Sequence, residues 1–427
     1  MSTNISNKII NSEIFSRLYG SGEQAKQKHS ARFQELIERF RECFGAIDES
    51  LRFFSVPGRT EIGGNHTDHN HGRVLAAAVN LDAVAAAAPT SDNKIFIYSR
   101  GYDRPCEVDL NELAPQKEER GTTNALIRGI ASRLRESDYR IGGFNACISS
   151  AVLPGSGLSS SAVVEVLIGA ILNSLYNQGK IDAETLAITG QYAENNYFNK
   201  PCGLMDQMAC AKGGILTIDF KDPQKPLTHK VDFDFSREDF SLLVVNTGGG
   251  HANLTEDYAS IPREMKAAAA ALGKTVCREI EYEDIIQNLP ALRTTVGDRA
   301  ALRALHFVEE NRRVELQVEA LQGGDFDRFL ELVRESGNSS LRWLQNCYTG
   351  QDNKNQGITL ALALSEKYIT KVGRGACRVH GGGFAGTILV LLPNPALPGY
   401  LELMEPVFGT GSVPVLDIRS FGPCELK

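Results

Sequence analysis

The stretch LPGSGLSSSAVVEVLIGA, residues 153–170, restricts the fold more than any other part of this 427-residue chain. An apolar strand, GFNACISS, leads into it, and a strongly apolar helix leads out, reaching about Asn177. Gly155 and Gly157 let the backbone come close to a bound group. Ser159, Ser160 and Ser161 then fall in the first helical turn, where free N–H groups and the positive end of the helix dipole converge. One serine would serve as an N-cap. Three exceed that need, so the loop reads as a phosphate cradle whose hydroxyls add donors or ligands for a hard cation.

Two other glycine-rich stretches invite the same reading. In LGKTV, 272–276, a Walker loop would need glycine where Ala268 stands, and Gly273 follows five alanines, so it ends a helix. HGGGFAG, 380–386, fits G-x-G-x-x-G. The strand TILVLL follows it, where a dinucleotide site needs a helix. Glycines between strands still imply close backbone approach.

Along the rest of the chain, Phe33, Leu36, Ile37 and Phe40 mark an amphipathic helix over 24–44, and short strands fill 51–109. A helix follows at about 122–136. Another runs from about Ala183 to Asn199, where Pro201 stops it by disfavouring helical geometry at Lys200. GILTIDF is a strand, and 221–239 is a charged connection. The second half opens with SLLVVNT and is mostly helical to about 371. It closes with ACRVHGGGFAGTILVLLP, a helix, and a last strand near 412–419. The chain therefore reads as α+β in two domains, 1–230 and 231–427, as its length also suggests.

Composition narrows the partners. The net charge is −7, with acids and bases mixed and no basic stripe, which argues against nucleic acid. MSTNISNKIINSEIF has no apolar signal core, and the apolar stretch VLAAAVNLDAVAAAA is short and carries Asp82, so no membrane span is expected. Nine cysteines without a C-x-x-C pair read as reduced thiols of a cytoplasmic protein.

GGNHTDHNHG, 63–72, crowds three of the eight histidines with an aspartate: His66, Asp68, His69 and His71. The order H-x-D-H-x-H differs from the metallohydrolase order H-x-H-x-D-H. Further on, Glu194 lies late on a helix and Asp206 opens another after a Pro-Cys-Gly turn. A carboxylate beside Met205 and Met208 needs a partner, because unpaired burial is costly.

Taken in order, these motifs resemble the galactokinase family of the GHMP kinase superfamily, over nearly the whole chain. GRTEIGGNHTDHNHGRVLAAAV resembles the sugar-binding signature G-R-x-N-x-I-G-E-H-x-D-Y-x-x-G-x-V-L-P. LPGSGLSSSA is similar to the phosphate loop P-x-G-x-G-L-S-S-S-A, and PCGLMDQ to P-C-G-I-M-D-Q. SLRWLQNCY, 340–348, and VHGGGFAGT are weaker matches to S-L-R-x-x-Y-E-V-S and G-x-G-F-G-G-C.

The resemblance implies a two-domain fold with the active site in the cleft between the domains, and a sugar 1-kinase using ATP and Mg²⁺. Asp206 would face the anomeric hydroxyl, with Arg59 beside it. Gly155, Ser156, Gly157, Leu158, Ser159 and Ser160 would hold ATP phosphates, and Ser161 and Glu194 the Mg²⁺. Asn65, His66, Asp68, Gly203 and Tyr258 would bind the sugar, galactose first. A kinase for galacturonate or an amino sugar, or a non-catalytic galactose and ATP sensor, are the other functions such a chain could serve. A monomer or weak homo-oligomer is expected. The chain departs from the pattern at Asn65, where the signature has glutamate, and at Glu61, where it has asparagine. Thr123 replaces an adenine-lining aromatic. A sugar-facing Asn65 would widen tolerance at the C6 end.

Overall fold

Two long strands, β1 (Arg52–Gly63) and β2 (Arg73–Pro89), are buried along nearly their whole length. Both faces are covered, so burial does not alternate along either strand; β1 buries Ser55, Arg59, Thr60 and Glu61 among its apolar residues, and the alanines of β2 let neighbours pack close on either side. In the computed structural model, which describes residues 8–102, 104–152, 157–200, 202–249 and 254–426, β1 and β2 form an antiparallel ladder at the centre of an eight-stranded sheet. The other strands are β3 (Lys94–Ser99), β4 (Cys106–Asp109), β5 (Phe144–Ser150), β6 (Ile215–Asp219), β7 (Leu227–Val231) and a terminal strand, Cys424–Leu426. The far half of β2 pairs with β5 and its near half with β6; β3 alongside β5 is the parallel pair.

Helices Thr123–Glu136, Ser160–Asn177, Ala183–Ala193 and Met205–Lys212 pack with this sheet in one core. Ser160–Asn177 is long and apolar enough to cross a membrane, but most of it is buried inside the protein. A second, antiparallel sheet has β8 (Phe240–Asn246), β9 (Ala376–His380), β10 (Thr387–Pro393) and β11 (Val415–Leu416) in the order β11-β8-β10-β9. Its Val244, Leu389 and Leu391 share the main core with Leu158 and Val166 of the first half. Helix Thr255–Ala271 ends at the alanine run, and Gly273 takes φ 72°, as expected for the end of a helix.

Four features differ from the sequence expectation. The 221–239 segment contains β7, and its Phe233 and Phe235 pack on Phe326, with Phe235 also against Phe329, so apolar anchors hide among its charges. The helix read as 183–199 is α-helical only to Ala193; Glu194–Phe198 forms a π-turn that closes at Asn199, φ 69°. The chain's end crosses back, and Cys424–Leu426, which we number β12, pairs with β1. A helix not read from sequence, Glu13–Tyr19, sends the Tyr19 hydroxyl to Asp82 (2.6 Å), where Arg32 and Ser55 also converge. Asp82 is thus neutralised in the core by two cations, Arg32 and Arg419, and two hydroxyls.

Candidate active site

Arg59 lies on β1 just after a register shift between Pro57 and Arg59. The bulge brings Gly58 against Val152, Leu81 and Leu158 at 3.0–3.3 Å from where a side chain would begin, so a larger residue there would press on its neighbours where the strand meets the serine loop. Arg59 then grips Asp206 with both arms: Nε to Oδ1 at 2.6 Å and Nη2 to Oδ2 at 2.7 Å. Its third nitrogen donates to the Gly157 carbonyl. Asp206 opens helix Met205–Lys212, and its carboxylate keeps 30% of its surface exposed toward the cleft. Burial pushes this carboxyl up, but the Arg59 charge and the hydrogen bonds from Arg59 and Ser159 outweigh it and hold the group below its ordinary range.

The serine loop converges on the same point. Gly157 has φ 73°, and a side chain there would collide with Thr387 and His380 of the second half. Leu158 is buried in the core. Ser159 precedes the helix in a left-handed conformation, φ 58°, and not within the first turn. Its hydroxyl donates to Asp206 and does not cap the helix. Ser160 is the first helical residue. Gly155 and Ser156 lie outside the described residues. Ser161 donates to Glu194 at 3.0 Å, so the two residues assigned to a metal are side by side. The exposed Lys200 ammonium rests on the same Glu194 oxygen at 2.9 Å.

Behind them lie two groups that the sequence reading missed. Gln207 donates to Glu194 (3.0 Å) and to Glu165 (2.9 Å). Burial, then the Glu194 charge, holds the Glu165 carboxyl well above its ordinary range. Glu165 lies on the apolar helix four residues after Ser161, and that i, i+4 spacing was the signal available.

Among the residues expected to bind the sugar, Asp68 and Gly203 meet: a side chain at 203 would collide with the Asp68 carboxylate, three residues before Asp206. The other Asp68 oxygen accepts the His69 N–H at 2.9 Å. His66 is left-handed, φ 59°, and its Nε2 donates to the Gly382 carbonyl at 2.8 Å. Burial, then the neighbouring His69, lowers its pKa to about 3, so it is neutral at pH 7. Tyr258 donates to the Gly383 carbonyl at 2.9 Å with its ring against Gly382. His66 and Tyr258 therefore meet at the 381–383 loop.

Asn65 is a correction. Its side chain is fully buried and engaged by protein partners on every side. The amide donates to Glu61 (3.0 Å) and the Gly381 carbonyl (2.7 Å), and accepts from Asn346 (2.8 Å) and Ser340 (3.3 Å). Both donors and both acceptor positions are used, so nothing remains for a sugar hydroxyl. Glu61 also pairs with the buried Arg378. Relative to the signature, the carboxylate and amide at 61 and 65 have exchanged places while remaining hydrogen-bonded to each other. The argument for wider C6 tolerance falls with the orientation of Asn65.

Comparison with known proteins bears on the same residues. The galactokinase galactose-binding signature matches residues 38–89, and the GHMP kinases N terminal domain matches 125–214. A curated galactokinase of Streptomyces coelicolor is 33% identical over 384 residues, 88% of this chain and 93% of that one. The crystal structure of Lactococcus lactis galactokinase complexed with galactose superposes with a TM-score of 0.78 at 25% identity, covering 91% of this chain and 98% of that one. Methanococcus jannaschii mevalonate kinase shares the fold, with a TM-score of 0.62 at 16% identity over 87% of this chain and 99% of its own.

Proposed function

The chain belongs to the galactokinase family, and we propose that it transfers the γ-phosphoryl of ATP to the anomeric hydroxyl of galactose. The observation that carries this reading is the two-armed Arg59–Asp206 pair beside the serine loop. The anomeric oxygen attacks the γ-phosphorus, the bond to the β–γ bridging oxygen breaks, and ADP leaves. Asp206 accepts a hydrogen bond from the attacking hydroxyl. A carboxylate held below its ordinary range is a weak base, so it orients the nucleophile first and takes its proton as the new O–P bond forms. Arg59 keeps Asp206 ionised and ties it to the Gly157 carbonyl, which fixes the distance from nucleophile to phosphate. Phosphoryl transfer depends mostly on such positioning.

The Ser161 hydroxyl and Glu194 carboxylate are hard oxygen donors side by side, a pair that suits Mg²⁺. When bound, Mg²⁺ would neutralise charge on the phosphates. Lys200 already holds a positive charge at that carboxylate and, being exposed, can yield the place. Asp68, His66, Gly203 and Tyr258 are the residues we assign to the sugar. Galactose is favoured by the Streptomyces coelicolor relative and by the galactose complex of the Lactococcus lactis enzyme. The two domains we assign, 1–230 and 231–427, face each other across this cleft, with β12 returning to the first sheet. All nine cysteines are free thiols, which supports a cytoplasmic setting.

The test is ATP consumption against galactose, galacturonate, galactosamine and 6-deoxygalactose, with the product identified by phosphorus NMR. An anomeric phosphate on galactose supports the reading. Sugar binding without any ATP-dependent product would point to a sensor instead.

A further inference from the structure

The 64–66 turn is awkward for a polypeptide. Gly64 has φ 87°, with no room for a side chain beside Arg73 and Val74, and His66 is left-handed without being glycine. What holds it lies on one face of helix Asp298–Gly323, far along the chain. Glu310 is fully buried, and one oxygen of its carboxylate accepts the N–H of Gly64 (3.1 Å), the N–H of Asn65 (3.3 Å) and the Ser336 hydroxyl (2.6 Å). Its other oxygen pairs with Arg313. One turn earlier, His306 Nε2 lies 3.0 Å from the Asn65 carbonyl. A carbonyl only accepts, so Nε2 carries the proton and Nδ1 accepts from Ser339 at 2.8 Å.

We propose that Glu310 and His306 are positioning residues that set sugar affinity by holding the backbone of residues 64–66 in its left-handed turn. The turn aims His66 at the Gly382 carbonyl and leads into Asp68, which packs on Gly203. Neither Glu310 nor His306 needs to touch the sugar. The inference rests on the reading that Asp68 and His66 face the sugar.

The experiment compares wild type with His306→Phe, His306→Gln and Ser339→Ala. The readouts are kcat, the KM of galactose and of ATP, and the galactose Kd by calorimetry without nucleotide. His306→Phe, which leaves the Asn65 carbonyl without its donor, should raise the galactose KM and Kd about tenfold, the equivalent of one hydrogen bond. The ATP KM and kcat should stay within about twofold. His306→Gln, which can still donate at the Nε2 position, should recover most of the affinity, and Ser339→Ala should change little. Equal rises in both KM values, no recovery with glutamine, or a fall in Tm alone would overturn the proposal. Should His306→Phe not fold, hydrogen exchange on the wild type decides: the Gly64 and Asn65 amides must exchange slowly without sugar, and rapid exchange refutes the clamp. A wild type that neither binds nor phosphorylates galactose refutes the proposed function instead, so the two failures are separable.

Discussion

Arg59, Ser159, Ser161, Glu194 and Asp206 all come from the first half of the chain and bond to one another across 33 to 147 residues. The 64–66 turn, also in the first half, hangs on Glu310, His306, Gly381 and Gly382, 241 to 316 residues away. The cluster we assign to phosphoryl transfer therefore bonds mainly within the first half, although Gly157 packs on Thr387 and His380 of the second. In the cluster we assign to the sugar, Asp68 meets Gly203 within the first half, while the 64–66 backbone takes its partners from the second. Damage to the contact between halves should reach sugar binding before phosphoryl chemistry, and substitutions within the first half should do the reverse.

The sharpest test of the phosphoryl side is Asp206→Asn. Turnover should fall by roughly 10²-fold or more, the range for a positioned acid–base group, while galactose binding persists. Steady-state rates beside calorimetric binding measure both, and near-normal turnover would remove Asp206 from the mechanism.

Asn65→Glu probes the packing of the sugar side. It brings a second carboxylate against Glu61 and faces the Gly381 carbonyl with an acceptor. We expect a loss of about 3 kcal/mol in urea unfolding, the scale of a buried unpaired charge, with the ratio of rates among sugars unchanged. Adding Glu61→Asn removes the facing carboxylate but takes from the buried Arg378 its partner, so the double variant should stay below wild-type stability. A switch in sugar preference in the single variant would show that position 65 reaches the substrate after all.

Acid should loosen the sugar side as well. Burial pushes the Glu310 carboxyl up, but Arg313, Arg378 and the Ser336 hydroxyl, with His306 once acid protonates it, bring it from an ordinary 4.5 down to about 2. A depressed carboxyl stabilises the fold above its unfolded pKa and loses that contribution as pH falls through the folded one. So about 3 kcal/mol should disappear between roughly pH 4.5 and pH 2. Urea midpoints at pH 7, 4.5 and 3 check this, and the decline should be shallower in Glu310→Gln.

The smallest expected effect is at Ser161, which we assign to Mg²⁺. Ser161→Ala should raise the Mg²⁺ concentration for half-maximal rate by about tenfold, the worth of one ligand or hydrogen bond, without moving the galactose KM. An unchanged Mg²⁺ requirement would place the cation elsewhere.

The phosphoryl side was legible because its signals are local. An apolar run after glycines and serines makes a helix with a free N-terminus wherever it lies, and the Arg59 and Asp206 motifs carry recognisable spacings. Even there, backbone detail escaped: Ser159 precedes the helix, and Glu194 opens a π-turn where a continuous helix was read.

Sequence by itself determined the α+β plan, the apolar helix Ser160–Asn177 and the end of the alanine helix at Gly273. These follow from periodicity, capping and steric rules that act over a few residues. Tertiary structure decided how Asn65 is bonded, what neutralises Asp82, that Phe233 and Phe235 anchor a charged connection, that the chain's end returns to β1, and that Glu310 and His306 hold the 64–66 turn. Those outcomes depend on which buried polar groups meet after the halves pack. A buried amide or carboxylate must find partners wherever the fold supplies them, and one-dimensional spacing holds no record of a donor 246 residues away.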